Sequence, residues 1–209
     1  AEQKNVLHKV FSDAAIQSGY SFTEDYNGYK QEGIGAAEMT IYKGERWSAA
    51  KGYLKNITKQ KNICIMTSCL ADKLLFLNNK CEGIIFKKQN ESILAKSKKG
   101  VILAAGSIGN PCILQRSGIG TPKHIADLGI KPFLELKGVG NNLQDHLELY
   151  FQVKCKQPIT LFKNTNLISK FKIFLEWYFF KKGLGASNQF ETLGFLKTDK
   201  QQEYPNLQY

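Results

Sequence analysis

The sequence predicts a mixed α/β fold, and three observations indicate it. Apolar residues recur at helical spacing in residues 3–18, short strand candidates follow one another between residues 62 and 105, and an unbroken apolar run at 101–105 leads into a glycine and a helix start. The chain has 209 residues, of which 43% are hydrophobic, enough for one large domain or two small ones with a core. A charged fraction of 22% and only 5 prolines argue against a disordered chain.

The first predicted element is an amphipathic helix over residues 3–18, which Gly19 ends. Its apolar face comprises Val6, Leu7, Val10, Phe11, Ala14 and Ala15. Residues 20–45 show no period and are polar, aromatic and glycine-bearing, so we expect binding loops there. A helical pattern returns at residues 47–54.

Strands are predicted in the next part of the chain, with a tight turn at Asn78 and Asn79 between two of them. The candidates are residues 63–66, 73–77, 81–86 and 93–95. Residues 101–105 do not alternate, which is typical of a strand buried on both faces.

A helix is predicted directly after that buried strand. Asn110 is the expected cap and Pro111 occupies the first turn, while Thr121 and Pro122 open a second helix. A strand, a glycine turn and a helix start place backbone N–H groups at residues 106–110, where they can hold a phosphate. A purely structural βα turn explains the same pattern.

The last quarter of the chain, from residue 147, is expected to be strand-rich and interrupted by an aromatic helix over residues 171–180. Lys181 and Lys182 follow that helix, so both core packing and contact with a membrane surface fit its pattern.

Charge and composition narrow the function classes. The net charge is +11, but only Arg46 and Arg116 are arginines and the lysines are dispersed, which favours a solvated surface over a nucleic-acid site. The 5 cysteines are odd in number and show no CxxC spacing, which argues against a disulfide framework and favours a reducing, cytoplasmic compartment. The 3 histidines have no clustered acids near them, which argues against a metal site. None of the G-x-G pairs completes a dinucleotide fingerprint.

Three blocks of motifs carry a resemblance to a known family. The first comprises Asn27, Gly28, Gln31, Gly33, Gly35, Arg46, Ser48, Ala49, Tyr53 and Leu54; the second comprises residues 101–107 with Pro111 and residues 117–120; the third comprises residues 138–140 and 142–146. In this order they resemble the glucose–methanol–choline (GMC) flavin oxidoreductases over residues 27–146. Asn110 departs from the Ser or Thr of the second signature, and we read it as a conservative change because Asn caps helices as well as Ser.

The choline-oxidising branch of the family is the most similar, through residues 155–158, 185–191 and 194–195. The resemblance implies an internal fragment of an FAD-dependent enzyme that oxidises choline to betaine aldehyde, in glycine betaine synthesis, by hydride transfer to the flavin. It implies a substrate-domain or connecting segment at 1–40, a partial Rossmann-like FAD-binding domain at 41–146, and part of a substrate domain on an antiparallel sheet at 147–209. The family's catalytic histidine and adenosine fingerprint are expected outside these residues, so we expect the isolated fragment to be inactive.

Glu191 is the substrate-binding residue that the resemblance implies, facing the quaternary ammonium of choline. Phe190 and Phe195 flank it, and a permanent cation without N–H donors is held by charge and aromatic faces. The alternative is a solvated glutamate at a strand edge.

The cofactor residues expected from the same resemblance are Ala71, Gly106, Ser107, Asp145 and His146. The role of Ala71 rests on the resemblance alone. For Gly106 and Ser107, a purely structural turn is the alternative explanation. For Asp145 and His146 we expect an orienting or packing role, not acid–base catalysis. The other two histidines, His8 and His124, are expected at the surface.

Three further questions stay open at this point. The electron acceptor is a membrane quinone chain or oxygen, and the enzyme is cytoplasmic with or without peripheral membrane association. Another GMC alcohol oxidoreductase with a different substrate is one alternative function. A non-catalytic module that binds through its basic surface is a second.

Overall fold

A computed structural model describes residues 5–209. The chain divides into two compact units, which are described separately. The first combines the residues up to Lys59 with Phe151–Tyr209, and the second is Gln60–Tyr150. The assignment of residues 41–146 to a cofactor domain and of both flanks to a substrate domain stays a prediction.

The described part of the chain contains both helices and strands, so the mixed α/β class is confirmed. The α-helices are α1 (Val6–Gln17), α2 (Gly106–Arg116), α3 (Pro122–Asp127) and α4 (Leu167–Phe180). The strands are β1 (Gly33–Ala36), β2 (Ile41–Tyr42), β3 (Glu45–Arg46), β4 (Cys69–Leu77), β5 (Lys80–Lys88), β6 (Glu91–Lys96), β7 (Ile119–Gly120), β8 (Leu134–Glu135), β9 (Thr192–Leu196) and β10 (Leu207–Gln208). Short π- and 3₁₀-helical turns lie at Ala50–Leu54, Leu161–Asn164 and Leu184–Ala186.

Helix α1 confirms the first predicted element. The Asn5 side chain caps it by accepting a hydrogen bond from the Leu7 N–H at 3.0 Å. The chain leaves the helix through Gly19, whose φ of +90° is one that glycine adopts without strain. The end of the helix before Gly19 is therefore confirmed, whereas its start is Val6, after the Asn5 cap, and not residue 3.

The first unit is built on an antiparallel sheet in the order β1-β9-β10. Ile34 of β1 lies opposite Gly194 of β9 and is only 2% exposed, and Leu196 is also buried. The expectation of a strand-rich segment from residue 147 onward is wrong, because β9 and β10 are its only strands and residues 147–160 form none. Their apolar side chains had suggested strands, yet Leu147 and Val153 are exposed without a pairing neighbour in the described residues.

The second unit contains the antiparallel meander β4-β5-β6. Asn78 and Asn79 both have positive φ at the predicted turn, which confirms it. The strand candidates at 73–77, 81–86 and 93–95 are confirmed with longer bounds, whereas residues 63–66 form no strand. The apolar core of this unit comprises Phe86, Ile113, Ile119 and Ile125.

The predicted buried strand at residues 101–105 is not formed in the described structure. Ile102 is 94% exposed, and no strand of residues 5–209 pairs with this run. A continuous apolar run indicates burial, but a strand also needs hydrogen-bonding neighbours on its edges. The parallel pairing between named strands is confined to β7 and β8, at Ile119–Leu134 and Gly120–Glu135.

Helix α4 confirms the aromatic helix and extends it to Leu167–Phe180, with the Asn166 side chain as its cap. The prediction that its aromatic residues pack in a core is wrong for three of them, since Phe171, Phe179 and Phe180 are at least 60% exposed within the described residues. Contact of this face with a membrane surface stays a prediction. No helix within residues 5–209 is long and apolar enough to cross a bilayer.

Candidate functional site

Glu191 lies in the first unit, immediately before β9, and it is only 2% exposed. The alternative of a solvated glutamate at a strand edge is therefore wrong. Burying a carboxylate is costly unless hydrogen-bond donors or charges compensate for the lost water. The local structure provides such groups.

These compensating groups come from the start of α1. The backbone N–H of Asn5 donates to Glu191 Oε2 at 3.2 Å, and Nε2 of His8 lies 3.5 Å from the same oxygen. Since the positive end of the helix dipole lies at its N-terminus, this position favours a negative charge. The carboxylate and α1 thus stabilise each other.

His8 is a residue that the sequence reasoning missed. It was expected at the surface, but its side chain is 23% exposed and faces Glu191, with Nδ1 3.2 Å from Oγ1 of Thr192. The only local signal was its position three residues after Asn5, which places both on one side of the helix. Nothing in the sequence linked that side to residue 191. His124 is exposed on α3, as expected.

The two aromatic residues beside Glu191 have different surroundings. Phe190 is 76% exposed, and its N–H donates to the Asn188 side chain at 3.1 Å. Phe195 is partly buried on β9, with its ring 5.8 Å from that of Tyr26. Phe190 therefore offers an accessible aromatic face, and Phe195 packs within the unit.

The predicted cofactor residues Gly106 and Ser107 lie at the start of α2 in the second unit. Helix α2 begins at Gly106, not at Asn110 as the capping pattern predicted. The Asn110 side chain instead reaches back, accepting from the Ala105 N–H at 2.8 Å and donating to Leu103 O at 3.4 Å. Pro111 is consequently the sixth residue of the helix and not in its first turn, so it cannot donate the backbone hydrogen bond of that position.

This helix start leaves room for a ligand. Ala105 provides no side-chain cap, and the first N–H groups of a helix have no acceptor within it. Gly106 has a φ of +82°, and a Cβ added there would meet no atom within 4 Å. A helix start with N–H groups that have no acceptor in the helix is compatible with a phosphate-bearing group such as part of FAD.

A cleft of about 420 Å³ adjoins the same helix start within the second unit. Its lining comprises Ser107, Ile108, Pro111, Cys112, Gln115, Gly140, Asn141, Asn142, Leu143 and Gln144. The structure thus brings Ser107 together with the loop that directly precedes Asp145 and His146. We call this lining the α2 cleft.

Asp145 and His146 are both exposed, and the Asp145 carboxylate accepts a hydrogen bond from the His146 backbone N–H at 2.8 Å. That contact is a local turn and not a carboxylate–imidazole pair, so it gives no support to acid–base catalysis by these two residues. Their orienting role stays a prediction.

Ala71 is not brought to the helix start. It lies in β4 beside a register shift, where its C=O accepts from Arg116 Nη2 at 3.2 Å and the Asp72 C=O accepts from Arg116 Nε at 2.7 Å. Arg116 is the last residue of α2 and Gly106 the first, so the Ala71 backbone is held by the opposite end of the helix. Contact of one cofactor with both positions stays a prediction.

Two solved structures with a similar fold are oxidoreductases. An FAD-dependent oxidoreductase from Chaetomium thermophilum covers 91% of the chain with a TM-score of 0.77 at 24% identity, and the chain covers 34% of it. A formate oxidase from Aspergillus oryzae covers 93% with a TM-score of 0.81 at 22% identity, and again 34% of that structure is covered. At these identities the similarity shows the fold alone. The class that this comparison defines is therefore the fold shared with these two oxidoreductase structures.

The particular family follows from the sequence match. The GMC oxidoreductase model matches residues 1–148, and the chain belongs to the GMC oxidoreductase family. The flavin class expected from the motif blocks is confirmed, and FAD is the cofactor of that class.

Curated relatives are similar over the whole chain. An oxygen-dependent choline dehydrogenase 1 from Chromohalobacter salexigens is 44% identical over 209 residues, and an oxygen-dependent choline dehydrogenase from Brucella anthropi is 43% identical over 208 residues. Both matches take in 100% of this chain, which spans 37% and 38% of the length of these relatives.

Proposed function

We propose that this chain carries the choline-recognition site and part of the FAD site of an enzyme that oxidises choline to betaine aldehyde. The observation that carries the proposal is the buried carboxylate of Glu191, which is 2% exposed in a chain 44% identical to a choline dehydrogenase. When bound, FAD supplies the acceptor for the hydride that leaves the alcohol carbon. The residues of this chain bind the substrate and the cofactor and orient them.

The chemistry of a quaternary ammonium suits a carboxylate that is buried. Its methyl groups keep the nitrogen several ångströms from any oxygen and offer no N–H, so recognition needs a fixed field more than a hydrogen bond. At an effective dielectric constant of 20, two unit charges about 5 Å apart attract by roughly 3 kcal/mol. Because a buried charge is screened less by salt than an exposed one, Glu191 is better suited to this task than a surface glutamate.

Phe190 adds the second component of recognition. Its ring is accessible next to Glu191 in the sequence, and an aromatic face attracts a desolvated cation. Phe195 is partly buried against Tyr26, so we assign it to the support of β9 in the substrate region.

For the cofactor we assign Gly106 and Ser107, through their backbone N–H groups, to a polar part of FAD in the α2 cleft. The Ala71 backbone, held by Arg116, is assigned to a different part of the same elongated molecule. Asp145 and His146 orient the loop that lines this cleft. No proton transfer is assigned to them.

The test compares two alcohols in holoenzyme prepared from the complete coding sequence. One is choline and the other is its neutral isostere, in which a tert-butyl group replaces the trimethylammonium group. Glu191→Gln keeps the shape and removes the charge, so KM for choline should rise about tenfold or more, since about 1.4 kcal/mol corresponds to a factor of ten. The KM for the neutral alcohol should stay within about twofold.

The matched control is Glu24→Gln, which removes an exposed carboxylate from the same unit and should change neither KM. Flavin content, measured from the visible spectrum, shows whether each variant is loaded. Equal effects on both alcohols, or none, would contradict the assignment of Glu191 and would favour another alcohol as the substrate.

The proposed electron acceptor is oxygen. The similar proteins from Chromohalobacter salexigens and Brucella anthropi are known as oxygen-dependent choline dehydrogenases, which favours oxygen over a quinone chain. Choline-dependent oxygen uptake with matching hydrogen peroxide should be observed in purified holoenzyme. Turnover only after addition of a quinone analogue would overturn this part of the proposal.

A further inference from the structure

We infer that His8 is a positioning residue that fixes the Glu191 carboxylate for recognition of the substrate cation, an inference that rests on the proposed function. It lies on α1, whereas Glu191 precedes β9, so the contact joins two elements far apart in the sequence. We assign His8 no contact with a reacting atom. Its role is exerted through Glu191.

The contacts of the imidazole define this role. Both ring nitrogens are engaged: Nδ1 lies 3.2 Å from Thr192 Oγ1, and Nε2 lies 3.5 Å from Glu191 Oε2. A nitrogen lone pair facing a carboxylate would be repulsive, so we assign a hydrogen to Nε2. The hydroxyl of Thr192 holds the other side of the ring and thereby sets its orientation.

The carboxylate needs such an anchor. The terminal torsion of a glutamate is broad and roughly two-fold, so the plane of a carboxylate without fixed donors rotates easily. Here the Asn5 N–H and His8 Nε2 both approach Oε2. Two groups at one oxygen fix the direction in which the negative charge is presented.

The start of α1 is itself tied to a distant segment. Asn5 Nδ2 donates to Ile159 O at 3.4 Å, and within the helix the buried Ser12 hydroxyl donates to the His8 C=O at 3.0 Å. The cap residue that donates to Glu191 is thus also held by residue 159. A rigid support is what a site needs to select between substrates of equal shape.

The test uses the same holoenzyme and the same two alcohols. His8→Leu removes both ring nitrogens and should raise KM for choline about tenfold, which corresponds to about 1.4 kcal/mol, with kcat and the KM for the neutral isostere within about twofold. His8→Gln places an amide nitrogen close to the position of Nε2 and should restore the choline KM to within about threefold. Thr192→Val should give an intermediate rise, because it removes only the group that orients the ring.

Two controls separate positioning from folding. His124→Leu replaces the exposed histidine of α3 and should leave both substrates unaffected. The double variant His8→Leu with Glu191→Gln should be no worse for choline than Glu191→Gln alone, because His8 acts through that carboxylate. Full flavin loading, with KM for the neutral isostere unchanged, identifies a folded enzyme.

The outcomes distinguish the inference from the function on which it rests. If Glu191→Gln raises the choline KM and His8→Leu does not, the inference is overturned and the proposed function stands. A parallel rise for both alcohols in His8→Leu, without rescue by His8→Gln, also overturns it, since that is the result of a purely structural role. If Glu191→Gln itself leaves the preference for choline intact, both statements fail together.

Discussion

The contact between β1 and β9 sets a strict limit on side-chain size at Gly194. This residue lies opposite Ile34, and a Cβ added to it would lie far closer to Ile34 Cδ1 than the van der Waals contact distance of two carbon atoms. The next neighbours are Ile34 Cγ1 at 3.4 Å and Gly33 O at 3.5 Å, which are close but acceptable. Gly194 does not have a positive φ, so the whole cost of Gly194→Ala comes from this one methyl–methyl overlap.

The magnitude follows from how tightly Ile34 is packed. Because Ile34 is 2% exposed, its Cδ1 cannot move into solvent, and overpacking of this kind costs about 1–3 kcal/mol. Ile34→Val removes the offending methyl group and alone costs about 0.5–1.5 kcal/mol. In the double variant the methyl group introduced by Gly194→Ala replaces the one removed, so the coupling free energy should be about 1–2 kcal/mol in the favourable direction.

The measurement is the free energy of unfolding in urea, followed by tryptophan fluorescence. Trp47 and Trp177 both lie in the first unit, so the signal reports on the unit that contains the substitution. Glu24→Gln, at an exposed side chain of the same unit, is the control, and its effect should lie within about 0.5 kcal/mol. Strictly additive losses in the double variant would refute the packing argument.

Three further predictions concern other contacts. Ile125→Ala, at a side chain that is 0% exposed in the second unit, should cost about 2–5 kcal/mol of unfolding free energy, measured by urea denaturation. Arg116→Lys loses the paired donors to the Ala71 and Asp72 carbonyls and should lower flavin affinity by about fivefold, roughly 1 kcal/mol, while Lys123→Gln, at an exposed ion pair on α3, should not. Hydrogen bonds from Lys51, the larger contribution, and from Lys181 lower the pKa of Glu45. The stabilisation from these contacts is therefore present above the ordinary carboxylate pKa and is lost as the pH falls through the lowered pKa. Glu45→Gln should reduce the fall of the thermal unfolding temperature over this acidic range.

Elements whose signals are local were predictable from the sequence. Helix α1 has a cap at one end and a glycine at the other, and the meander has Asn78 and Asn79 at its first turn. Each of these signals acts within a few residues, so no knowledge of distant contacts was needed. The bounds shifted by a few residues because helix and strand ends depend on their surroundings.

The apolar run at residues 101–105 is an element that local signals did not predict correctly. Its composition indicates burial, but pairing depends on which strands lie beside it, and the described residues place none there. The following helix begins at Gly106, and Asn110 lies inside it with its side chain bonded to Ala105 N and Leu103 O. The prediction of Asn110 as the N-cap was therefore wrong, because capping propensity does not show which turn the helix starts from.

The candidate site was likewise predictable only in part. The motif identified Glu191, yet alternation along the strand could not show that its carboxylate is buried, since the compensating groups, Asn5 and His8, come from the opposite end of the sequence. A buried carboxylate without donors would be strongly destabilising, so the Asn5 N–H and His8 at the start of α1 stabilise Glu191 in its position before β9. The position of α1 and the orientation of the Glu191 carboxylate are therefore coupled. It follows that a substitution which loosens α1, although far from any substrate atom, should lower the preference for a cationic alcohol before it lowers turnover of a neutral one.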